Sequence, residues 1–226
     1  MEKIQSYADV LSEYFHFSGL VVIDVGCGTG DLVRWMTSKG AIVTGVDLSE
    51  LIDKAETFQR VGAERYQVGT AQELPFENGY ADLIVYLASF HHIPEPEMQN
   101  AIDKCYDILK PNGHVVFIEP IAQTDSYYEL TRLIDDEADI QKKAYGFIQT
   151  AGETKFQQLK ESLHYLERSF QDYLSLINIY VPDENQREQI IQQAKKLINQ
   201  RNETLEKVRF RSLGRLNILQ KKNHST

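Results

Sequence analysis

Apolar residues cluster in this chain in two alternating patterns. Short, nearly continuous apolar runs occur at Leu20–Val25, Ala41–Val46, Tyr80–Leu87 and His114–Glu119. Runs without regular polar alternation predict strands buried on both faces. A weaker run, Arg65–Val68, reads as a further strand between the second and fourth. Helical spacing fills the gaps. Ile4, Tyr7, Ala8, Leu11, Tyr14 and Phe15 predict a helix over residues 1–18, ended by Gly19. Asp31–Lys39 turns Leu32, Val33 and Met36 inward, with Gly40 as its stop. A helix from Ser49, its expected cap, to about Gln59 buries Leu51, Ile52, Ala55 and Phe58. Pro96–Leu109 carries Met98, Ala101, Ile102, Cys105, Ile108 and Leu109 on one face, and Pro111-Asn112-Gly113 is a turn by composition. Strand and helix alternate, which predicts an α/β fold with a doubly wound, mostly parallel sheet.

The rhythm breaks after Pro120. Residues 124–162 are polar, helical in spacing and rich in acids and tyrosines, which suggests a helical insertion or lid. Tyr165–Ile179 alternates enough for a strand. A helix follows from Asp183 to about Asn202, residues 207–219 read as the last strand, and Gln220–Thr226 as a frayed polar tail. Without repeats or linkers, residues 1–226 are read as a single domain.

Composition narrows the function classes. The chain has 226 residues, 42% hydrophobic and 25% charged, as in ordinary globular proteins. No apolar run approaches the ~20 residues of a membrane span, and the N-terminus lacks a signal pattern. With Cys27 and Cys105 alone there is neither a disulfide framework nor a zinc set. These features predict a cytoplasmic protein without a membrane partner. The net charge of −9 argues against a nucleic-acid partner.

The densest chemistry lies at Val21–Gly30. A buried strand delivers Asp24 and then Gly26, Cys27, Gly28 and Gly30; the next strand ends in Asp47. A glycine turn lets a nucleoside-bearing ligand approach the backbone, and an acid after the second strand accepts hydrogen bonds from ribose hydroxyls. The dinucleotide pattern spaces its glycines differently, and Asp31 occupies its third-glycine position. An acid there disfavours a pyrophosphate and accommodates a cationic ligand.

Five segments in order resemble the class I S-adenosylmethionine-dependent methyltransferases, especially the small-molecule group of the ubiquinone/menaquinone-biosynthesis type. They are Val21–Gly30, Gly45–Ser49, Ala71–Phe76, Ala81–Ile93 and Leu109–His114, within residues 20–120. The resemblance implies a Rossmann-like sheet with an antiparallel last strand, and S-adenosyl-L-methionine as cofactor. It implies that Gly26, Cys27, Gly28 and Gly30 line the methionine part. Asp24 would hold the turn or meet the amino group through water. Asp47 would bind the ribose, Leu48 would pack on adenine, a backbone amide of Ala71-Gln72 would meet the adenine ring, and Leu87 would lie against the methionine portion. One position departs from the pattern: Thr70 stands where the family carries an acid for the adenine amino group.

Methyl transfer is an in-line displacement that needs alignment and, for a weakly acidic acceptor, a general base. His91 and His92 follow the fourth strand at the carboxyl edge and are the candidate bases; the alternative is a structural histidine held by backbone or Glu95. Two adjacent histidines with no third ligand in view do not predict a metal. Glu119, at the end of the fifth strand, binds a polar acceptor or caps a neighbouring backbone. Tyr127, Tyr128 and Tyr145 either contact the acceptor or pack within the helical elaboration, and Asp135-Asp136-Glu137 reads as a solvated face. Arg209, Arg211 and Arg215 either bind an acidic acceptor or balance the acidic surface. The expected function is transfer of a methyl group to an O or N atom of a small-molecule acceptor. The competing readings are a protein or RNA methyltransferase, a nicotinamide-dependent oxidoreductase, and a non-catalytic S-adenosylmethionine-binding protein. The apolar N-terminal helix and the late helices offer surfaces for a homodimer.

Overall fold

A computed structural model describes residues 6–122, 126–200 and 204–222. Seven strands form one sheet in the order β3-β2-β1-β4-β5-β7-β6. They are β1 (Val21–Val25), β2 (Ile42–Asp47), β3 (Arg65–Val68), β4 (Ala81–Leu87), β5 (Leu109–Pro120), β6 (Phe156–Ser169) and β7 (Arg209–Lys221). The pairs β1–β2, β1–β4, β2–β3 and β4–β5 are parallel, and β7 runs antiparallel to both β5 and β6. The doubly wound sheet with an antiparallel last strand is therefore present. Its order reverses between β1 and β4, the place where open α/β sheets form a ligand crevice.

The eight α-helices of the described residues are α1 (Tyr7–Ser12), α2 (Asp31–Ser38), α3 (Ser49–Glu56), α4 (Glu95–Ile108), α5 (Tyr128–Thr131), α6 (Ala138–Glu153), α7 (Phe170–Tyr180) and α8 (Glu184–Gln200). None is long and apolar enough to cross a membrane. On one sheet face α4 and α6 pack against Ile23, Ile84, Tyr86 and Phe117. On the other, α1 and α2 cover Val22, Val43, Val85 and Ile118. A third apolar cluster joins α5, α7 and α8 through Leu130, Tyr173, Ile177 and Ala194.

Several expected elements shift. The first helix begins at Tyr7, with Ser6 and Asp9 forming a reciprocal capping box, and ends at Ser12; Ile4 lies outside the described residues. Ser49 is the first residue of α3 rather than its cap, because Leu48 holds the extended cap position. Phe58 is 49% exposed beyond the end of α3, and the Arg34 guanidinium lies over its ring. The Pro111–Gly113 turn is present as a kink inside β5. Ala81 pairs with Leu109 and Leu83 with His114, and Asn112 takes φ +63°.

The larger corrections fall after Pro120. Residues 156–162 belong to β6, not to a helical lid, and residues 170–180 are helix rather than strand. Ser169 and Asp172 form a capping box that starts α7 and so ends β6. Helix α6 buries Ala144, Ile148 and Ala151 against the sheet, which makes it a crossover helix. β7 continues through Lys221, so Gln220 and Lys221 are strand residues rather than a frayed tail.

Candidate active site

The turn after β1 is built on close approaches. Gly26 donates its N–H to the Val46 carbonyl at 2.8 Å. Its φ is +74°, and an added Cβ would lie 2.4 Å from Ser89 Cβ. Ser89 in turn donates its hydroxyl to the Val25 carbonyl at 2.6 Å. Gly26 therefore lets the segment after β4 lie against the turn. Gly28 differs: it has φ +55° and nothing within 4 Å of where a Cβ would sit. Among these glycines it is Gly28 that faces open space. Gly30 caps α2, backed by the Tyr66 ring. The Cys27 side chain is buried in the cluster under α2, close to Gly45, so only its backbone is left to a ligand.

Asp47 locks onto this turn. One carboxylate oxygen accepts the Gly28 N–H at 2.7 Å and the other accepts the Leu48 N–H at 2.7 Å. Leu48 beside it is 60% exposed, a large apolar side chain held out to solvent. Asp24 lies beneath, buried, with Oδ1 lacking any hydrogen-bond partner. Burial, and next the Asp47 charge, push its carboxyl up to about 8. Thr70 Oγ1 is also buried and unpartnered. It precedes the short 3-10 helix Ala71–Glu73, in which Ala71 is buried and Gln72 half-buried. Leu87, half-buried, ends β4.

These features fit S-adenosylmethionine. The orphan Asp24 oxygen and its raised pKa mark a place that lacks positive charge, Gly28 leaves room beside the backbone, and Asp47 is oriented for hydroxyls. Thr70 offers a free buried hydroxyl at the position where the family pattern has an acid. The Asp31 part of the spacing argument loses force, because Arg34 pairs with Asp31 at 2.5 Å and offsets its charge. The glycine spacing stands.

The histidine pair is organised by Glu119. One Glu119 oxygen accepts the backbone N–H groups of Ser89 at 3.1 Å and Phe90 at 3.0 Å. The other meets the His91 backbone N–H at 3.3 Å and its ring Nδ1. Glu119 is thus consumed as the anchor of the segment after β4, not presented to an acceptor. The His91 Nε2 lies 3.5 Å from Glu137, and His92 Nδ1 lies 3.7 Å from the same carboxylate. Burial alone would lower the His91 imidazole, but Glu119, with Glu137 behind it, pushes it up to about 10. His91 is held as an imidazolium between two carboxylates, so it is not a free base. The donor atoms of His91, His92 and Glu137 lie within 4.8 Å of one another, so the fold supplies the third potential ligand that the two adjacent histidines lack in sequence. Burial and the His91 charge lower His92 instead, which keeps it a free imidazole near neutral pH. Glu137, expected on a solvated face, is half-buried against this pair.

A cavity of about 530 Å³ opens at the carboxyl ends of β4 and β5. Ala88, His91, His92 and Pro120 form one part of its wall; α5 and α7 supply Tyr128, Leu176 and Tyr180. Ala88 sits there at φ +49°, a strained non-glycine conformation at the mouth of the site. Tyr127 and Tyr128 both line the cavity; Tyr127 also packs on Tyr173 and Phe210, and the Tyr128 hydroxyl donates to Asp136 at 2.5 Å. Tyr145 does not line it: its hydroxyl donates to Glu161 and its ring lies under Arg215. Arg209 and Arg215 pair with Glu167 and Glu161 away from the cavity. Tyr7, Glu137, Arg168 and Tyr180 line the cavity without any sequence signal to mark them. They come from distant segments that only the closed sheet brings together.

Comparison with known proteins places this arrangement. The methyltransferase-domain family profile matches residues 23–117. An uncharacterized methyltransferase of Bacillus pumilus is 30% identical over 151 residues, 66% of this chain and 67% of that protein. A ubiquinone biosynthesis O-methyltransferase of Pseudomonas paraeruginosa is 31% identical over 122 residues, and the chain spans about half of its length, 51%. A SAM-dependent methyltransferase structure from Methanosarcina mazei shares the fold with a TM-score of 0.60 at 19% identity, over 97% of this chain and 99% of that one. With the glycine turn, Asp47 and the carboxyl-edge cavity in their places, the chain belongs to the class I S-adenosylmethionine-dependent methyltransferases.

Proposed function

We propose that this enzyme transfers the methyl group of S-adenosylmethionine to an oxygen or nitrogen of a small molecule held in the carboxyl-edge cavity. The observation that carries the reading is the position of that cavity. It shares Ala88, His91 and His92 with the segment whose Ser89 lies against the cofactor turn. The bound cofactor supplies an electrophilic methyl group on a sulfonium sulfur. Asp47, Gly28 and Leu48 would hold it, and α5 and α7 wall the cavity left for the acceptor. Methylation of the acceptor atom would release its proton. His92 takes that proton: it is on the cavity wall, free of charge, and stacked on Tyr180 at 5.8 Å between ring centres. His91 and Glu119 position it.

The ubiquinone-biosynthesis relatives are O-methyltransferases by name, which supports a hydroxyl among the candidate acceptors. The net charge of −9 weighs against RNA. The test is His92→Gln, assayed with labelled S-adenosylmethionine on an acceptor found by screening hydroxy- and amino-arenes. Turnover should fall by on the order of 100-fold, with cofactor affinity within about twofold of the parent. Normal turnover in this variant sinks the base assignment.

A further inference from the structure

We propose that Arg168 is an anion subsite in the acceptor cavity and that the acceptor is a small aromatic monocarboxylate. The methyl-transfer reading is needed only for the reacting end of that molecule. Arg168 lies at the end of β6, just before the cap of α7, half-buried, and is the one Lys or Arg among the cavity-lining residues. Among the described residues its guanidinium donates one hydrogen bond, to the Tyr7 hydroxyl at 3.0 Å, lies 5.5 Å from the centre of the Tyr7 ring, feels the Asp172 charge and makes no ion pair within 4 Å. A guanidinium carries five N–H donors in a planar fork that matches a carboxylate. The rest of that fork is unused.

The acids near it are largely engaged. Asp172 Oδ2 accepts the Ser169 N–H at 2.6 Å and the Ser169 hydroxyl at 2.7 Å. Glu137 faces His91 and His92 and accepts from Gln141 at 3.1 Å. With these acids and the exposed Asp135 on the same wall, a dianion such as a phosphate ester meets about twice the repulsion that a monocarboxylate meets. Tyr127, Tyr180 and His92 offer ring faces and edges to a planar body. The acceptor then lies with its carboxylate on Arg168 and its hydroxyl or amino group at the His92 end.

The experiment is calorimetry on the full chain saturated with S-adenosylhomocysteine. The probes are 3- and 4-hydroxybenzoate and 4-hydroxyphenylacetate, each paired with its neutral amide. The expected result is that at least one acid binds 10-fold or more tighter than its amide. Arg168→Gln should abolish that preference while amide binding and S-adenosylhomocysteine affinity stay as in the parent, and Arg168→Lys should recover part of it. Because Arg168 also holds Tyr7, a melting curve of each variant separates loss of the subsite from loss of fold. A panel in which no acid outbinds its amide overturns the proposal, as does an Arg168→Gln variant that folds and keeps the preference. Failure of the methyl-transfer reading looks different: acid preference persists, but labelled methyl is never transferred to any probe or screened acceptor.

Discussion

Residues 20–120 and residues 126–222 differ in where their polar side chains find partners. In the first region the bonds close locally within the motif-bearing chain. Asp47 holds the Gly28 amide, Ser89 holds the Val25 carbonyl, and Glu119 holds the Ser89, Phe90 and His91 amides. The second region reaches back across the molecule. Arg168 bonds Tyr7, Glu137 meets His91 and His92, and Lys143 pairs with Glu95 at 2.6 Å. The cofactor half is thus a self-consistent unit that the cover completes. The family profile covers residues 23–117, whereas the cavity at the carboxyl edge draws its walls from both regions. Donor recognition and acceptor recognition are therefore separable by mutation.

The anchor inside the first region, on which the second region's Glu137 also leans through His91, gives the largest effect. Glu119→Ala removes the partner of a buried imidazolium and leaves the Ser89 and Phe90 amides without their acceptor. Breaking a buried pair from one side costs about 3–5 kcal/mol, and urea unfolding should register a loss of that size. A loss below about 1 kcal/mol would show that Glu119 does not anchor the segment after β4, and the first region would not close on itself there.

Asp47→Ala tests the self-contained half alone. If Asp47 binds the ribose, removing the carboxylate deletes two charge-assisted hydrogen bonds to it, each worth about 1.5 kcal/mol. Affinity for S-adenosylhomocysteine, read by calorimetry, should fall on the order of 100-fold. Undiminished affinity would remove the ribose assignment. A loss of fold instead of affinity would show that Asp47 serves the Gly28 turn more than the ligand.

The same contrast governs what could be read from the sequence. Buried strands, the glycine turn and Asp47 are local: a few neighbouring residues carry both the pattern and its physical cause. So β1, β2, β4, α2 and α4 lie within a residue or two of expectation, while α3 stops about three residues early. The late elements failed for one identifiable reason. Tyr165–Ile179 contains Ser169 and Asp172, a capping box that starts a helix in the middle of an apolar stretch, and the apolar alternation concealed it. In the segment read as a helical insertion, Tyr127–Gln141 does line the cavity, but the apolar stripe of α6 belongs to the sheet face and residues 156–162 are strand. Glu119 was open between ligand and anchor, and only the amides facing it decide for anchor. Glu137 sat in a run of acids that composition assigns to solvent, and its histidine partners lie more than forty positions away in the chain. Arg168 had no motif at all.

A gradual effect, small per pH unit, tests whether the cofactor half is built around a missing positive charge. Asp24 is buried, faces Asp47 as its charged neighbour and has its pKa raised to about 8, against an ordinary carboxyl value of 3.8. Between those values the folded protein keeps a proton that the unfolded chain has lost. Unfolding therefore releases a proton, and stability of the ligand-free protein falls as pH rises through this window, levelling above about 8. The slope from this one group is at most about 1.4 kcal/mol per pH unit. Asp24→Asn removes the titrating group, so its urea midpoint should be flatter than the parent's between pH 5 and pH 8, with the largest gain over the parent at the alkaline end. If the cationic amino group of the cofactor is what Asp24 awaits, S-adenosylmethionine should flatten the parent's profile in the same way, and Asp24→Asn should bind it more weakly despite being the more stable apo-protein. Equal pH slopes for parent and variant would mean that Asp24 is ionised in the folded state already, and that the orphan oxygen has found a partner inside the turn.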